Sequence, residues 1–244
     1  MRLDALLVKL GLAASRARAR ALIEEGQVLV DTVPALKVAT QVRADQAIAL
    51  KEEDHSWVGR GALKLLGALE AFPQDLGGAV AADFGASTGG FTQVLLSRGA
   101  ARVYAIDVGK GQLDWGLRQD PRVVVMEGVN ARYLESLPEP VSLVVGDLSF
   151  ISLELILPAV ARVLGPRGRV LILVKPQFEV GRESLGKKGL VRSEEARSAA
   201  IARVRHVAAD SGFLVLGGAD AAVAGAKSGN LEHFLYLELG PEGR

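Results

Sequence analysis

The sequence predicts an α/β protein: a mostly parallel sheet covered by helices, preceded by a small α+β N-terminal domain. Three observations carry this. From about Gly61 onward, short apolar runs alternate with segments of helical period. The runs are near-continuous in Val, Leu, Ile and Ala, the pattern of parallel strands buried on both faces. The first 50 residues lack that alternation and read as two short helices followed by short extended stretches.

In chain order, Leu3, Leu6, Leu7 and Leu10 recur at helical spacing, and Gly11 stops that helix. Ser15 is a good N-cap for a second helix from about Arg16 to Glu25, which Gly26 ends. Extended stretches follow at Gln27–Val30 and Ala47–Leu50. Residues 51–59, polar, unpatterned and ended by glycine, form the linker, giving domains over 1–58 and 59–244. Strands are expected at Ala79–Phe84, Arg102–Val108, Val123–Glu127, Leu143–Asp147, Arg169–Lys175, Phe213–Leu216 and His233–Leu239. Helices are expected between them at Gly90–Arg98, Leu153–Leu164 and Ser193–Ser211. The last strand is expected to run antiparallel, as an edge hairpin would make it.

Composition narrows the function classes. The 29 basic and 28 acidic residues nearly cancel, so partners must be argued from local charge. Cysteine is absent, which excludes disulfides, thiolate metal sites and cysteine nucleophiles and fits a reducing cytoplasm. The N-terminus carries a charge every few residues, unlike a secretory signal, and no segment approaches the ~20 apolar residues of a membrane span. A soluble cytoplasmic chain with no membrane partner is expected.

The segment Ala81–Phe91 runs from the first strand through Gly85-Ala86-Ser87-Thr88-Gly89-Gly90 into a helix. Small residues there admit a ligand close to the backbone, and the helix N-terminus offers free N–H groups, as in a Rossmann-like domain. Asp107 ends the second strand, 22 positions after Gly85, which suits an acidic residue holding ribose hydroxyls. Asp83, two residues before Gly85, would repel a pyrophosphate. S-adenosylmethionine, with a sulfonium and an ammonium and no phosphate, suits that wall better than NAD. The expected cofactor wall is Asp83, Gly85, Ala86, Ser87, Thr88, Gly89, Gly90, Phe91, Asp107, Val108, Asn130 and Asp147; no metal site is expected.

Ligands of an open α/β sheet bind at the carboxyl ends of its strands. Asp147 ends the fourth strand and Lys175 the fifth, where Pro176 stops it. Strands ~4.8 Å apart let these side chains meet. An antiparallel last strand would start at this same edge, with Glu232 at its start. Lys64 lies just before the first strand. Spacing alone singles out neither Lys64 nor Glu232.

The strings Gly85–Thr92, Asp107–Leu113, Asp147–Ser152 and Lys175–Gly181 resemble the TlyA (hemolysin A) family of ribosomal RNA 2′-O-methyltransferases with an FtsJ-like catalytic domain. The likeness spans nearly the whole chain. Arg2-Leu3-Asp4, Ser15-Arg16 and Ile23–Val28 are similar to the RNA-binding domain of the fourth small-subunit ribosomal protein. The resemblance implies a Rossmann-like methyltransferase sheet, S-adenosylmethionine as cofactor, and a catalytic tetrad of Lys64, Asp147, Lys175 and Glu232. The family has a second glycine where Ala62 stands and an acidic residue where Gln93 stands; neither is in the tetrad.

The implied chemistry deprotonates a ribose 2′-OH as it attacks a sulfonium methyl. Lysine is ordinarily protonated near neutrality. A second ammonium and partial burial both favour the neutral amine, so Lys175 is expected as general base with Lys64 supplying repulsion. Asp147 and Glu232 would hold the lysines. Arg2, Arg16, Arg18, Arg20 and Arg60, and Lys187 and Lys188 in a glycine-bearing loop, are the expected RNA contacts. The expected partner is ribosomal RNA or its subunits, with cytidine as target; DNA lacks the hydroxyl, and the chain is taken as a monomer. The competing reading is a non-catalytic RNA-binding or ribosome-assembly protein on a methyltransferase-like fold.

Overall fold

A computed structural model provides the structure; it describes every residue except 14, 25, 44, 51–56, 224–228 and 242–244, and the side chains at 182 and 188 also lie outside the described set. Most of the expected linker, and the Lys188 side chain, therefore lie outside the described residues.

The N-terminal unit packs α1 (Leu3–Lys9) and α2 (Arg16–Glu24) on an antiparallel sheet of β1 (Val28–Val30), β2 (Val33–Pro34) and β3 (Ile48–Leu50), ordered β2-β1-β3. Ser15 caps α2, its hydroxyl oxygen accepting from the Arg18 N–H at 3.1 Å. Leu3, Leu7, Ala19, Leu22, Ile23 and Val28 form a core of this unit's own. The sequence missed β2: it is two exposed residues behind a turn whose positive φ falls on Asp31 and Thr32 instead of glycine.

The larger unit contains α3 (Gly61–Ala71), β4 (Val80–Phe84), α4 (Gly90–Ser97), β5 (Arg102–Asp107), α5 (Trp115–Gln119) and β6 (Val123–Glu127). It continues with β7 (Val141–Gly146), α6 (Leu157–Val163), β8 (Leu164–Val174), α7 (Pro176–Glu179), α8 (Glu194–Asp210), β9 (Phe213–Asp220) and β10 (His233–Leu239). The seven strands are ordered β6-β5-β4-β7-β8-β10-β9. Apolar layers on the two faces, Ile156, Leu157 and Val160 on one and Phe91, Val94 and Leu95 on the other, explain why the strands are apolar throughout.

The last strand is antiparallel as expected: β10 pairs with β8 and forms the edge hairpin with β9, the outermost strand. One expected helix needs correction and another was missed. The helix expected at Leu153–Leu164 divides into a 3₁₀ turn, Leu153–Leu155, and α6, because Pro158 restarts the helix in its first turn, where a missing N–H costs nothing. The helix α3 escaped notice because it opens on Gly61, contains Gly67 and has Arg60, with no capping side chain, at its N-cap; it buries Ala62, Leu65, Ala68 and Leu69 on one face.

Candidate active site

Strand order reverses between β4 and β7, and a cleft of roughly 1300 Å³ opens there at the carboxyl ends of the strands. The ends of β4, β5, β7 and β8, the start of α3 and Glu232 before β10 line it, and α2 of the N-terminal unit supplies Arg16 and Arg20.

On one side lies the glycine loop. A Cβ on Gly85, whose φ is 87°, would stand 2.9 Å from the Asp147 carbonyl oxygen, so only glycine lets the loop abut that residue. A Cβ on Gly90 would meet the Ala62 nitrogen at 2.9 Å, so α4 and α3 touch backbone to backbone. Asp107 accepts from the Ser87 N–H at 2.8 Å and the Gly109 N–H at 2.7 Å. It therefore shapes the loop, and each oxygen retains a second lone pair. Val108 is exposed at the rim, and Asn130 accepts from the Arg132 N–H at 3.1 Å. Gly89 does not line the cleft; a Cβ there would run into Leu117 and Leu113. Phe91 lines the floor of the cleft; its ring is 3% exposed and packs against Phe234. These two contribute backbone shape and core packing.

The buried Asp83 carboxylate accepts through Oδ2 from the Thr92 N–H at 2.9 Å and the Thr92 hydroxyl at 2.7 Å. Its Oδ1 is buried and has no partner. Burial pushes the carboxyl up to about 7; Thr92 offsets this only in part, and Asp147 and Asp107 add to it. Glu127, which the sequence did not flag, accepts from the backbone N–H groups of Gly111, Gln112 and Leu113 and pairs with Arg118. Burial opposes its charge, but Arg118 and those N–H groups hold its carboxyl at about 2. Helix-like spacing could not have shown it, since its partners are loop amides.

Across the cleft the four ionisable residues form one chain. Lys64 Nζ is 2.7 Å from Glu232 Oε2 and 3.2 Å from Asp147 Oδ2. Lys175 Nζ is 2.6 Å from Asp147 Oδ1. Lys64 and Lys175 are each 9% exposed and Glu232 2%. Burial disfavours charge on Lys64, but Asp147 and Glu232 outweigh it and raise its pKa, so it remains an ammonium. Burial likewise opposes charge on Asp147, yet Lys175 and Lys64 hold its carboxyl far below the usual range. The expected repulsion of Lys175 by Lys64 is thus corrected: a carboxylate stands between them, one oxygen toward each. Both Asp147 oxygens face lysines, which leaves Asp83 as the acidic group with a free oxygen on the cofactor side.

Of the expected RNA contacts, Arg16, Arg20 and Arg60 line the cleft, and Lys187 is exposed. Arg2 and Arg16 pair with Asp4 at 3.0 and 2.8 Å. Arg18 is corrected: its guanidinium turns into the junction and donates to the Val58 carbonyl at 3.2 Å. Gln93 does there what an acidic residue could, accepting from the Val58 N–H at 2.7 Å. Ser15 adds a bond from its hydroxyl to the Gly111 carbonyl at 2.7 Å, so α2 abuts the glycine-rich loop after β5.

Residues 57–237 match the FtsJ-like methyltransferase family and residues 1–48 the S4 domain. The 16S/23S rRNA (cytidine-2'-O)-methyltransferase TlyA of Mycobacterium tuberculosis is 48% identical over 97% of this chain and 89% of its own length. The chain belongs to the TlyA family of FtsJ-like methyltransferases. Hemolysin A of Brachyspira hyodysenteriae is 34% identical over 97% of this chain and 99% of that protein. A solved structure of a hemolysin-named protein from Streptococcus thermophilus aligns with a TM-score of 0.76 at 41% identity, covering 99% of this chain and 89% of that one. As a TlyA-family protein, the chain is an S-adenosylmethionine-dependent methyltransferase. No helix among its described residues is long and apolar enough to cross a membrane.

The cleft fits that cofactor. A glycine cradle admits a ligand against the backbone, Asp107 keeps acceptor capacity for hydroxyls, and the orphaned Asp83 oxygen calls for a donor such as an ammonium.

Proposed function

We propose that this enzyme methylates the ribose 2′-hydroxyl of a cytidine in ribosomal RNA in the cytoplasm, acting as a monomer with Lys175 as general base. The observation that carries this reading is the paired Glu232–Lys64–Asp147–Lys175 chain at the glycine loop, in a cleft whose other wall is a helix of the S4 domain. S-adenosylmethionine supplies an electrophilic methyl on a sulfonium. Asp83, the 85–88 backbone, Gly90, Asp107, Val108 and Asn130 would hold it. Lys175 takes the proton from the ribose hydroxyl as the oxygen attacks. Lys64, kept charged by two carboxylates, steadies Asp147 and places a positive charge on the cleft wall, where it would stabilise charge growing on the attacking oxygen. Orientation supplies much of the rate, since the methyl is already activated. Arg16, Arg20, Arg60 and Lys187, with Arg2 on the N-terminal unit, contact phosphate and carry no sequence information. The hydroxyl requirement excludes DNA.

The test is transfer of labelled methyl to ribosomal subunits lacking the modification. Label in an alkali-resistant dinucleotide beginning with cytidine is expected. Label on a base, or RNA binding without transfer, would replace this reading with base methylation or a ribosome-assembly role.

Cofactor affinity is also expected to depend on pH. A buried Asp83 raised to about 7 is largely protonated below that value. Its folded value exceeds the ordinary 3.8, so its ionisation destabilises the free protein progressively as pH rises from 3.8 to about 7. An ammonium at Oδ1 needs the ionised form. S-adenosylmethionine affinity should therefore rise by up to about tenfold per pH unit below 7 and level off above it. Calorimetry from pH 5.5 to 7.5 (roughly two units, spanning the raised value) checks this; Asp83→Asn should abolish the slope. A wild-type slope of zero would remove Asp83 from the cofactor site.

A further inference from the structure

A lysine that accepts a proton needs its lone pair aimed at the hydroxyl, and a long flexible side chain does not ensure that by itself. The Lys175 amine is held on two sides. Asp147 Oδ1 stands 2.6 Å away and pairs with the amine as a charged acceptor. A second, uncharged acceptor stands beside it: Lys175 Nζ donates to Ser149 Oγ at 2.8 Å. Asp147 and Ser149 together fix the direction of this amine.

We infer that Ser149 is a positioning residue for the general base, orienting the Lys175 amine so that its free tetrahedral position faces the ribose hydroxyl. The inference rests on the reading of Lys175 as base. Tetrahedral nitrogen has one bond to Cε and three remaining directions. With one directed at Ser149 Oγ and one drawn to Asp147, the third is the direction that loses a proton to become the lone pair and then receives the hydroxyl proton. Without Ser149 the amine rotates about the Cδ–Cε and Cε–Nζ bonds toward Asp147, and the lone pair has no fixed aim.

Ser149 is itself held by unusual local structure. Phe150, the next residue, has φ 65°, an uncommon left-handed conformation for an aromatic residue. Such strain persists only where surrounding contacts enforce it. Those contacts are present on both chain segments. The Phe150 and Phe178 rings lie 5.1 Å apart. The Ser152 hydroxyl donates to Glu179 Oε2 at 2.7 Å and the Leu153 N–H to Glu179 Oε1 at 2.9 Å. The segment after β7 is thus tied to the segment after β8 on the far side of Ser149, and Glu179 is 6% exposed. The clamp sets the Ser149 oxygen against Lys175 before RNA binds.

The experiment is single-turnover methyl transfer to ribosomal subunits lacking the modification, measured against pH for the wild type, Ser149→Ala, Ser149→Thr and Lys175→Ala. The Ser149→Ala plateau is expected to fall ~10–100-fold, the scale of a misaimed catalytic group, with RNA and cofactor affinity unchanged. Ser149→Thr keeps a hydroxyl on the same carbon and should recover most of the rate. The charged groups about this amine are Asp147 directly, and Lys64 and Glu232 behind it. Recovery by the hydroxyl-bearing variant with affinities unchanged is the outcome that a merely structural role would not give. Ser149→Ala at the wild-type rate beside an inactive Lys175→Ala overturns the inference and leaves the base intact. An active Lys175→Ala overturns both.

Discussion

Lys175→Ala is expected to lower the single-turnover rate of methyl transfer by ~10²-fold or more while leaving cofactor and RNA affinity near wild type, the range for lost general-base catalysis. The residue sits where β8 ends and Pro176 begins α7, so its backbone is fixed by the sheet and the truncation removes only the amine and its stem. Asp147 keeps its pair with Lys64 in the variant, so no buried carboxylate is stranded. Lys175→Arg is the sharper variant. A guanidinium can retain the ion pair to Asp147, but it stays protonated and cannot accept the proton. It should be as slow as alanine. A Lys175→Arg enzyme near the wild-type rate would make the residue an electrostatic clamp and place the proton acceptor elsewhere.

Removal of residues 1–58 is expected to leave a folded domain that binds cofactor but methylates ribosomal RNA at a small fraction of the wild-type rate. Folding should survive because the two units bury separate cores: Leu3, Leu7 and Ile23 in one, both faces of the sheet in the other. Among the described residues, Ser15 to Gly111 is a polar contact across that cut, while Trp57 and Val58 leave with the removed segment and cost the larger unit only partly buried packing at the edge of its core. RNA affinity should fall steeply because α2 and its arginines form a wall of the cleft. Cofactor affinity should fall slightly, since Ser15 touches the loop after β5 that Glu127 organises. Filter binding of ribosomal RNA alongside calorimetry separates the two effects. Full-rate methylation by the truncated protein would show that the N-terminal domain is not the RNA anchor.

Elements whose apolar pattern is long or tied to one period were legible in the sequence. The runs at Val123–Glu127 and His233–Leu239 read at once as strands and occupy those ranges in the structure. Asp147 and Lys175 could be placed together because strand ends of a parallel sheet share an edge, and their contact follows from the β7–β8 pairing. Lys64 and Glu232 were legible only through family resemblance. They lie 168 positions apart, one on a helix and one before an antiparallel strand, and no local periodicity links them. Side-chain direction was the harder matter. Arg18 sits between Arg16 and Arg20 in a stretch that looks uniformly basic, yet it turns inward, because alternate residues of a helix point about 200° apart and only two of the three can face the cleft. Gly89 belongs to a motif whose backbone shapes the cleft while its own side-chain position faces the core. Ser149 and Glu127 act through partners that only the folded loops bring to them.

The most direct test of the whole account is a map of ribose methylation in ribosomal RNA from cells that contain this protein, cells that lack it, and cells that carry only Lys175→Ala. The expected result is a 2′-O-methylcytidine present in the first and absent from the other two, with every other ribose methylation unchanged. A map identical in all three, or a missing mark on a base instead of a ribose, would contradict it.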